Sequence, residues 1–283
     1  MVVKPARALV MNVVAVLLTV ATVAPLLWMV LVSFMPRGAS SAFPPPLWPV
    51  RWTWENYHEL LARREYDGVF FDYRIVPALL NSLFVAGVST LLGLLLTVPA
   101  GYAFAKLRFR GRERLLQLLI ASLVVPGQVA MLPLFLIFKE LGLVNSYAGV
   151  ILPSLAGIFA ILFVRQATLS IPDEMLDAAR LDGASEGRIF VSIVLPMLAP
   201  VTVTLALFMF LGSWNDFLWP LIVLADQHLY TLPVAVAAIS REHAADGELM
   251  MAAAVVTTMP VLLLFLALQR YYMTGLLGGS VKG

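Results

Sequence analysis

Residues 81–112 read NSLFVAGVSTLLGLLLTVPAGYAFAKLRFRGR. From Asn81 to Ala105 there is no acidic or basic side chain; then Lys106, Arg108, Arg110 and Arg112 follow at every second position. About 20 helical residues cross about 30 Å of hydrocarbon, so the apolar part is long enough to span a bilayer. Inside lipid each backbone N–H and C=O has to find an internal partner, which makes such a run helical. The stretch therefore sets the fold class as an all-α integral membrane protein. The basic run that closes it, extended by Arg114, sets an orientation, because short loops rich in lysine and arginine stay on the cytoplasmic side.

The rest of the chain agrees with this reading. Of 283 residues, 61% are hydrophobic and 13% charged, against about 25% charged in soluble domains, and the mean hydropathy is +0.90. So little polar surface cannot dissolve a globule, and the natural solvent is lipid. The net charge is only +2, and the basic residues follow membrane sidedness, so a pI near 9.0 does not point to nucleic acid. There is no cysteine, which removes disulfides, thiolate metal sites, cysteine nucleophiles and palmitoylation together.

Six apolar runs reach spanning length, near residues 8–34, 77–105, 114–138, 147–169, 200–225 and 249–272. The first exceeds the apolar core of a signal peptide and five more follow, so it is expected to be a retained anchor. With the N-terminus in the cytoplasm, Lys4, Arg7, the Lys106–Arg114 cluster, Arg165, Arg180, Arg188, Arg270 and Lys282 lie inside. Arg37, Arg51, Arg63, Arg64, Arg74, Lys139 and Arg241 lie outside. Both termini are then cytoplasmic, the segment 35–76 is extracytoplasmic, and the charged passage 170–199 is cytoplasmic. Residues 1–283 are expected to form one transmembrane domain.

The outer segment opens with AFPPPLWPVRW, which favours extended backbone. TWENYHELLARRE then reads as a short amphipathic helix with Thr53 as N-cap and Glu55 in its first turn. Either it is an interfacial element anchored by Trp52 and Trp54, or it offers a docking surface to a soluble partner. Prolines 25, 99, 126, 133, 153, 220 and 260 fall inside the spans. They are either tolerated there or bend helices around a cavity.

Several chemistries are excluded. None of the four lysines, at 4, 106, 139 and 282, follows a glycine, so no Walker A loop exists. No HExxH or GxSxG signature appears, and His58, His228 and His243 fall in the outer loops, so neither a metal site nor a catalytic constellation is expected. One ionisable residue stands out within a span, Asp216, beside Trp214 and Asn215 in LGSWNDFLWPLIVL. It either lines a solute path, with Trp214 as a stacking face for an apolar sugar surface, or caps a helix break before Pro220. A proton- or ion-coupled carrier built on Asp216 is the alternative function. Such carriers need more carboxylates or repeated broken helices than this chain shows.

The charged passage contains IPDEMLDAARLDGASEGRIF. Pro172 suits a first helical turn, Asp173 and Glu174 its positive end, and Arg180 its last turn. Gly183 supplies a left-handed stop, and Ser185 N-caps a second helix with Glu186 at its start. Met175, Leu176, Ala178 and Ala179 form the apolar face of the first helix, which packs either on its own bundle or against a separate cytoplasmic protein.

The string D-A-A-x-x-D-G-A from Asp177 to Ala184, followed by Phe190, Ile193, Pro196 and Pro200, resembles the EAA loop of permease subunits of binding-protein-dependent ABC importers. Asp177 stands where that family usually has glutamate. TWENYHELL, residues 81–112, MLPLFLIFKELGLVNSYAGVILP, WNDFLWPLIVL and the ending QRYYMTGLLGGSVKG extend the similarity over most of the chain. The last two resemble the carbohydrate branch, specifically the maltose-type second permease subunit.

The resemblance implies six spans of the type I importer kind in a bacterial or archaeal cytoplasmic membrane. It implies a subunit that is not itself an enzyme, with ATP used by partner subunits and no cofactor bound here. Those partners are a second permease, two cytoplasmic ATPases and an extracytoplasmic sugar-binding protein, and the solute is a carbohydrate. It assigns Asp177, Ala178, Ala179, Asp182, Gly183 and Ala184 to a coupling helix seated in the ATPase, with Ala179 permitting close approach and the carboxylates meeting its basic groups. The tail Gly279, Ser280, Val281, Lys282 and Gly283 is implied to face the ATPase pair, and Trp214, Asn215 and Asp216 remain candidates for the substrate path.

Overall fold

The computed structural model describes residues 5–44, 46–61, 64–66, 69–71, 75–242 and 246–277. Helices dominate: α1 (Pro5–Ser33), α2 (Glu55–Leu61), α3 (Ile75–Lys106), α4 (Arg112–Ser122), α5 (Gly127–Glu140), α6 (Tyr147–Ser154) and α7 (Ile158–Leu169). They continue as α8 (Asp173–Leu181), α9 (Glu186–Ile189), α10 (Leu195–Met197), α11 (Ala199–Trp214), α12 (Leu218–Val223), α13 (Leu232–Glu242) and α14 (Gly247–Leu277). Among the described residues the one departure from helix and loop is a short ribbon, β1 (Arg64–Tyr66) antiparallel to β2 (Val69–Phe71).

Among the described residues, four segments are long and apolar enough to cross a membrane: Leu9–Ser33, Ile75–Lys106, Tyr147–Leu169 and Gly247–Ala267. Their outward side chains are unsuited to water; Leu17, Leu18, Leu91, Leu95 and Leu263 are all largely exposed. The two remaining apolar runs are broken. The run expected at 114–138 bends by 103° between α4 and α5. There Pro126 lacks an N–H and forces its predecessor out of the helical region. The run expected at 200–225 stops at Trp214 and resumes at Leu218, and a further bend of 77° lies between α10 and α11, flanked by Pro196 and Pro200.

The chain forms two compact units, residues 1–76 with 235–260 and residues 77–234 with 261–283. In the first, the ring of Phe34 lies 4.8 Å from Trp54 and 5.6 Å from Trp52. Buried Asn56 donates from Nδ2 to the carbonyls of Ser33 and Met35, both at 2.9 Å. Thr53 receives the Glu55 N–H at 3.2 Å, so it caps the start of α2 as its sequence position predicts. Arg37 pairs with Glu59 and, at 3.1 Å, with Asp246.

Fully buried Glu248 accepts the backbone N–H groups of Gly38 at 3.2 Å and Ser40 at 2.6 Å. Glu248→Ala strands both donors, at about 1–3 kcal/mol for such a loss. The expected outcome is faster protease cleavage within residues 36–61, with Glu248→Gln intermediate. Equal cleavage of all three proteins would show that the carboxylate does not hold this segment.

In the second unit one apolar cluster joins α3 (Val98, Tyr102), α7 (Ala160, Val164), α8 (Leu176) and the stretch from Ile189 to Leu205. The close approach of α3 and α7 requires Gly101, whose added Cβ would meet Val164 Cβ at 2.6 Å and the Arg165 nitrogen at 3.0 Å. A second cluster joins Val85, Phe138, Val150 and Trp219, with Trp219 Nε1 donating to the Gly149 carbonyl at 2.9 Å.

Candidate functional site

The charged passage folds into the helix, corner and helix that its caps predict. Asp173 and Glu174 occupy the first turn of α8, and Arg180 the last. Gly183 has φ +81°. Its N–H reaches the Arg180 carbonyl at 3.0 Å, while the Ala184 N–H reaches back to the Ala179 carbonyl at 3.0 Å. This pair of bonds is a Schellman motif, which satisfies the last carbonyls of a helix and needs a left-handed residue at the corner. Ser185 then accepts the Arg188 N–H at 3.4 Å and caps α9.

Charged side chains staple both ends of α8 to the unit. At its start Lys106, whose side chain is 7% exposed, donates from Nζ to the Ile171 carbonyl at 2.6 Å and to Asp173 Oδ1 at 2.7 Å. The ammonium beside it holds the Asp173 carboxyl below the usual carboxylate range. At its end Arg180 donates to Glu186 Oε1 and to Asp177 Oδ1, both at 2.7 Å, and the Tyr102 hydroxyl donates to Glu186 Oε2 at 2.8 Å. Arg180 is thereby fixed between two carboxylates, which favour its charged form. Asp177, expected to meet a basic group of a partner, already has one within its own helix.

The apolar face expected of α8 divides in two. Leu176 is 0% exposed and Ala179 and Ala184 pack on the cluster beneath it. Outward lie Glu174, Met175 (42% exposed), Ala178, Leu181 (88% exposed) and Asp182. Their spacing of i, i+1, i+4, i+7 and i+8 is that of one helical stripe. Ala179, expected at the partner contact, is partly buried against this cluster, and Leu181, which sequence reasoning does not single out, is the most exposed side chain of the outer stripe. An isolated leucine at a helix C-terminus carries no local signal of exposure.

The Trp214–Asn215–Asp216 group lies at the end of α11 and in the break before α12. Trp214 is 1% exposed and stacked on Phe210 with ring centroids 5.7 Å apart, so it presents no free face for a sugar. Asn215 donates to the Leu211 carbonyl at 2.9 Å, closing α11. Asp216 lies in the break between α11 and α12, next to Phe217, which precedes the first residue of α12. The tail Gly279–Gly283 lies outside the described residues.

The chain is similar to known proteins in sequence and in fold. Residues 93–276 match the family model described as the binding-protein-dependent transport system inner membrane component. The chain is 40% identical over 203 residues to the arabinooligosaccharides transport system permease protein AraQ of Halalkalibacterium halodurans, covering 72% of this chain and 73% of that one. It is 36% identical over 214 residues to the lactose transport system permease protein LacG of Rhizobium radiobacter, covering 75% and 78%. With the diacetylchitobiose uptake system permease protein NgcG of Streptomyces coelicolor it shares 33% over 259 residues, covering 90% and 82%.

Among solved structures, a bacterial ABC transporter involved in the import of the acidic polysaccharide alginate has a chain of similar fold. The TM-score is 0.81 at 21% identity, over 96% of this chain and 99% of that one. The chain therefore belongs to the family of binding-protein-dependent transport system inner membrane components: it is a multi-pass membrane protein, the permease subunit of an ABC importer, with ATP hydrolysis resident in a separate subunit.

Proposed function

We propose that this permease forms half of the translocation path for a sugar or related carbohydrate and is driven through α8 by an ATPase seated on its outer stripe. The observation that carries the reading is the pairing of a rigid frame with an uncovered apolar surface. Lys106, Arg180 and the Schellman corner fix α8 at both ends, while Met175, Ala178 and Leu181 face away from the core, flanked by Glu174 and Asp182. A helix that transmits movement has to be held stiffly by its own subunit and gripped by the other. Small, apolar and acidic side chains suit a partner groove with an apolar floor and basic rims.

The carbohydrate class comes from the relatives, whose names specify arabinooligosaccharides, lactose and diacetylchitobiose. The full assembly contains a second permease, two ATPases and an extracytoplasmic sugar-binding protein. It resides in a bacterial or archaeal cytoplasmic membrane, with six spans, residues 35–76 outside, and residues 170–199 and both termini inside. ATP is used by the partner subunits and no cofactor is bound by this chain.

The test is co-purification in mild detergent. Wild-type subunit is expected to retain its ATPase, and Leu181→Glu to lose it by about tenfold or more. That corresponds to about 1.4 kcal/mol, a modest cost for placing a carboxylate in an apolar contact. Insertion and amount in the membrane stay unchanged, since Leu181 touches little of its own subunit. Undiminished ATPase retention by Leu181→Glu overturns the docking assignment.

A further inference from the structure

With 32 residues α3 is about 48 Å long. That exceeds the roughly 40–45 Å of a bilayer with its headgroup layers, so the end of α3 at Lys106 reaches headgroup level. There the chain turns. Gly111, at φ +86°, precedes α4, and Arg112 holds the turn, donating from Nη1 to the Leu107 carbonyl at 3.2 Å and from Nη2 to Glu113 Oε1 at 3.0 Å. Residues 108–114 line an open concavity of about 600 Å³ around it.

The charge of this concavity is unbalanced. Arg108, Arg110 and Arg114 are exposed and form no ion pair or side-chain hydrogen bond among the described residues. The neighbouring acids are already matched, Glu113 by Arg112, Asp173 by Lys106, and Asp177 and Glu186 by Arg180. Arg108 attracts Asp173 without bonding it. Free guanidiniums bind phosphate oxygens in pairs, and basic clusters directly beyond a span draw anionic lipid.

A soluble anion would satisfy the arginines but not what adjoins them. On α4, Leu115 follows Arg114 directly and Leu118 stands one turn further on, and both leucines are exposed. Leu116 is the one buried residue of that helix. Positive charge at its start and uncovered hydrocarbon along it match a molecule with a phosphate at one end and acyl chains at the other.

We infer that residues 108–118 bind an anionic phospholipid of the leaflet that meets the end of α3, with Arg108, Arg110 and Arg114 holding its phosphate and Leu115 and Leu118 lying along its acyl chains. The site is distinct from the outer stripe of α8 and does not depend on which solute is carried.

The test uses the complete transporter in vesicles of phosphatidylethanolamine. Trace phosphatidylglycerol or phosphatidylethanolamine, each with the same diazirine-bearing acyl chain, is photolysed, and label within residues 109–122 of this subunit is quantified by mass. One basic residue near an anionic lipid is worth about a fivefold change in its binding. The phosphatidylglycerol probe is therefore expected to label this segment at least about fivefold more than its partner probe. Arg110→Gln cuts that excess about fivefold, and Arg108→Gln, Arg110→Gln and Arg114→Gln together abolish it. Arg188→Gln, the same loss of charge at an exposed position outside both concavities, keeps it.

Equal labelling by the two lipids, an excess that survives the triple substitution, or an equal fall with Arg188→Gln overturns the site. Displacement of the label by excess inorganic phosphate assigns the arginines to a soluble anion and overturns the lipid. Unchanged labelling with loss of co-purified ATPase from the triple variant places them in a protein contact and overturns it likewise.

Discussion

The Gly183→Val variant is expected to lose sugar uptake and ATPase retention together, while its amount in the membrane stays close to wild type. Gly183 sits at φ +81°, and a Cβ added there meets no atom within 4 Å. The penalty is therefore conformational rather than steric against neighbours. A left-handed L-residue costs about 1–2 kcal/mol, and a β-branched one is a marked outlier in that region.

The chain relieves the cost by leaving the left-handed well, which breaks the bonds from Gly183 to Arg180 and from Ala184 to Ala179. Ser185 and Glu186 follow directly, so the Arg180–Glu186–Tyr102 staple opens and α8 loses its fixed direction. Gly183→Asn is expected to keep substantial uptake, because asparagine is tolerated in the left-handed region. The measurements are initial uptake rate, subunit amount and co-purified ATPase for the three proteins. Unimpaired uptake by Gly183→Val would mean that the corner does not set the coupling geometry.

That corner is legible in the sequence because caps are local. Pro172, Asp173, Glu174, Gly183 and Ser185 stand at offsets whose backbone consequences do not depend on the rest of the fold. The apolar spans are legible for a similar reason, being set by the solvent. What depends on distant chain is not. Lys106 reads as one cation among five marking a membrane side, yet its ammonium is enclosed by a carbonyl and a carboxylate about 65 positions away. Glu248, just ahead of the apolar run 249–272, carries no local sign of its partners, the N–H groups of Gly38 and Ser40.

Trp214 beside Asn215 and Asp216 suggests a polar path with an aromatic wall, but only tertiary packing decides that the indole lies on Phe210. The helix break beside Asp216 has a local sign in the following Pro220. The breaks at Pro126 and between Pro196 and Pro200 have a sign too, although kinked and merely tolerated prolines look alike in a sequence.

The division of α8 into two faces yields the sharpest contrast, because Met175 and Leu176 are adjacent in sequence and turned by about 100° from each other. Leu176→Asp is expected to deplete the folded subunit from the membrane. Truncating a fully buried leucine alone costs about 2–5 kcal/mol, and an unpaired carboxylate among Tyr102, Val164 and Ile189 adds several kcal/mol more. Against the roughly 5–15 kcal/mol that holds a typical domain together, this removes most of the margin.

Met175→Asp places the same charge one position earlier, on the outward stripe, and is expected to leave subunit amount unchanged while weakening ATPase retention. The pair separates two effects that transport assays alone would merge, loss of the helix and loss of its contact. Subunit amount is read by quantitative immunoblot of membranes, and retention by the ATPase recovered per subunit in mild detergent. Equal depletion by both substitutions would place both side chains in the core and refute the outward stripe; equal tolerance would show that α8 does not pack on the cluster around Val164.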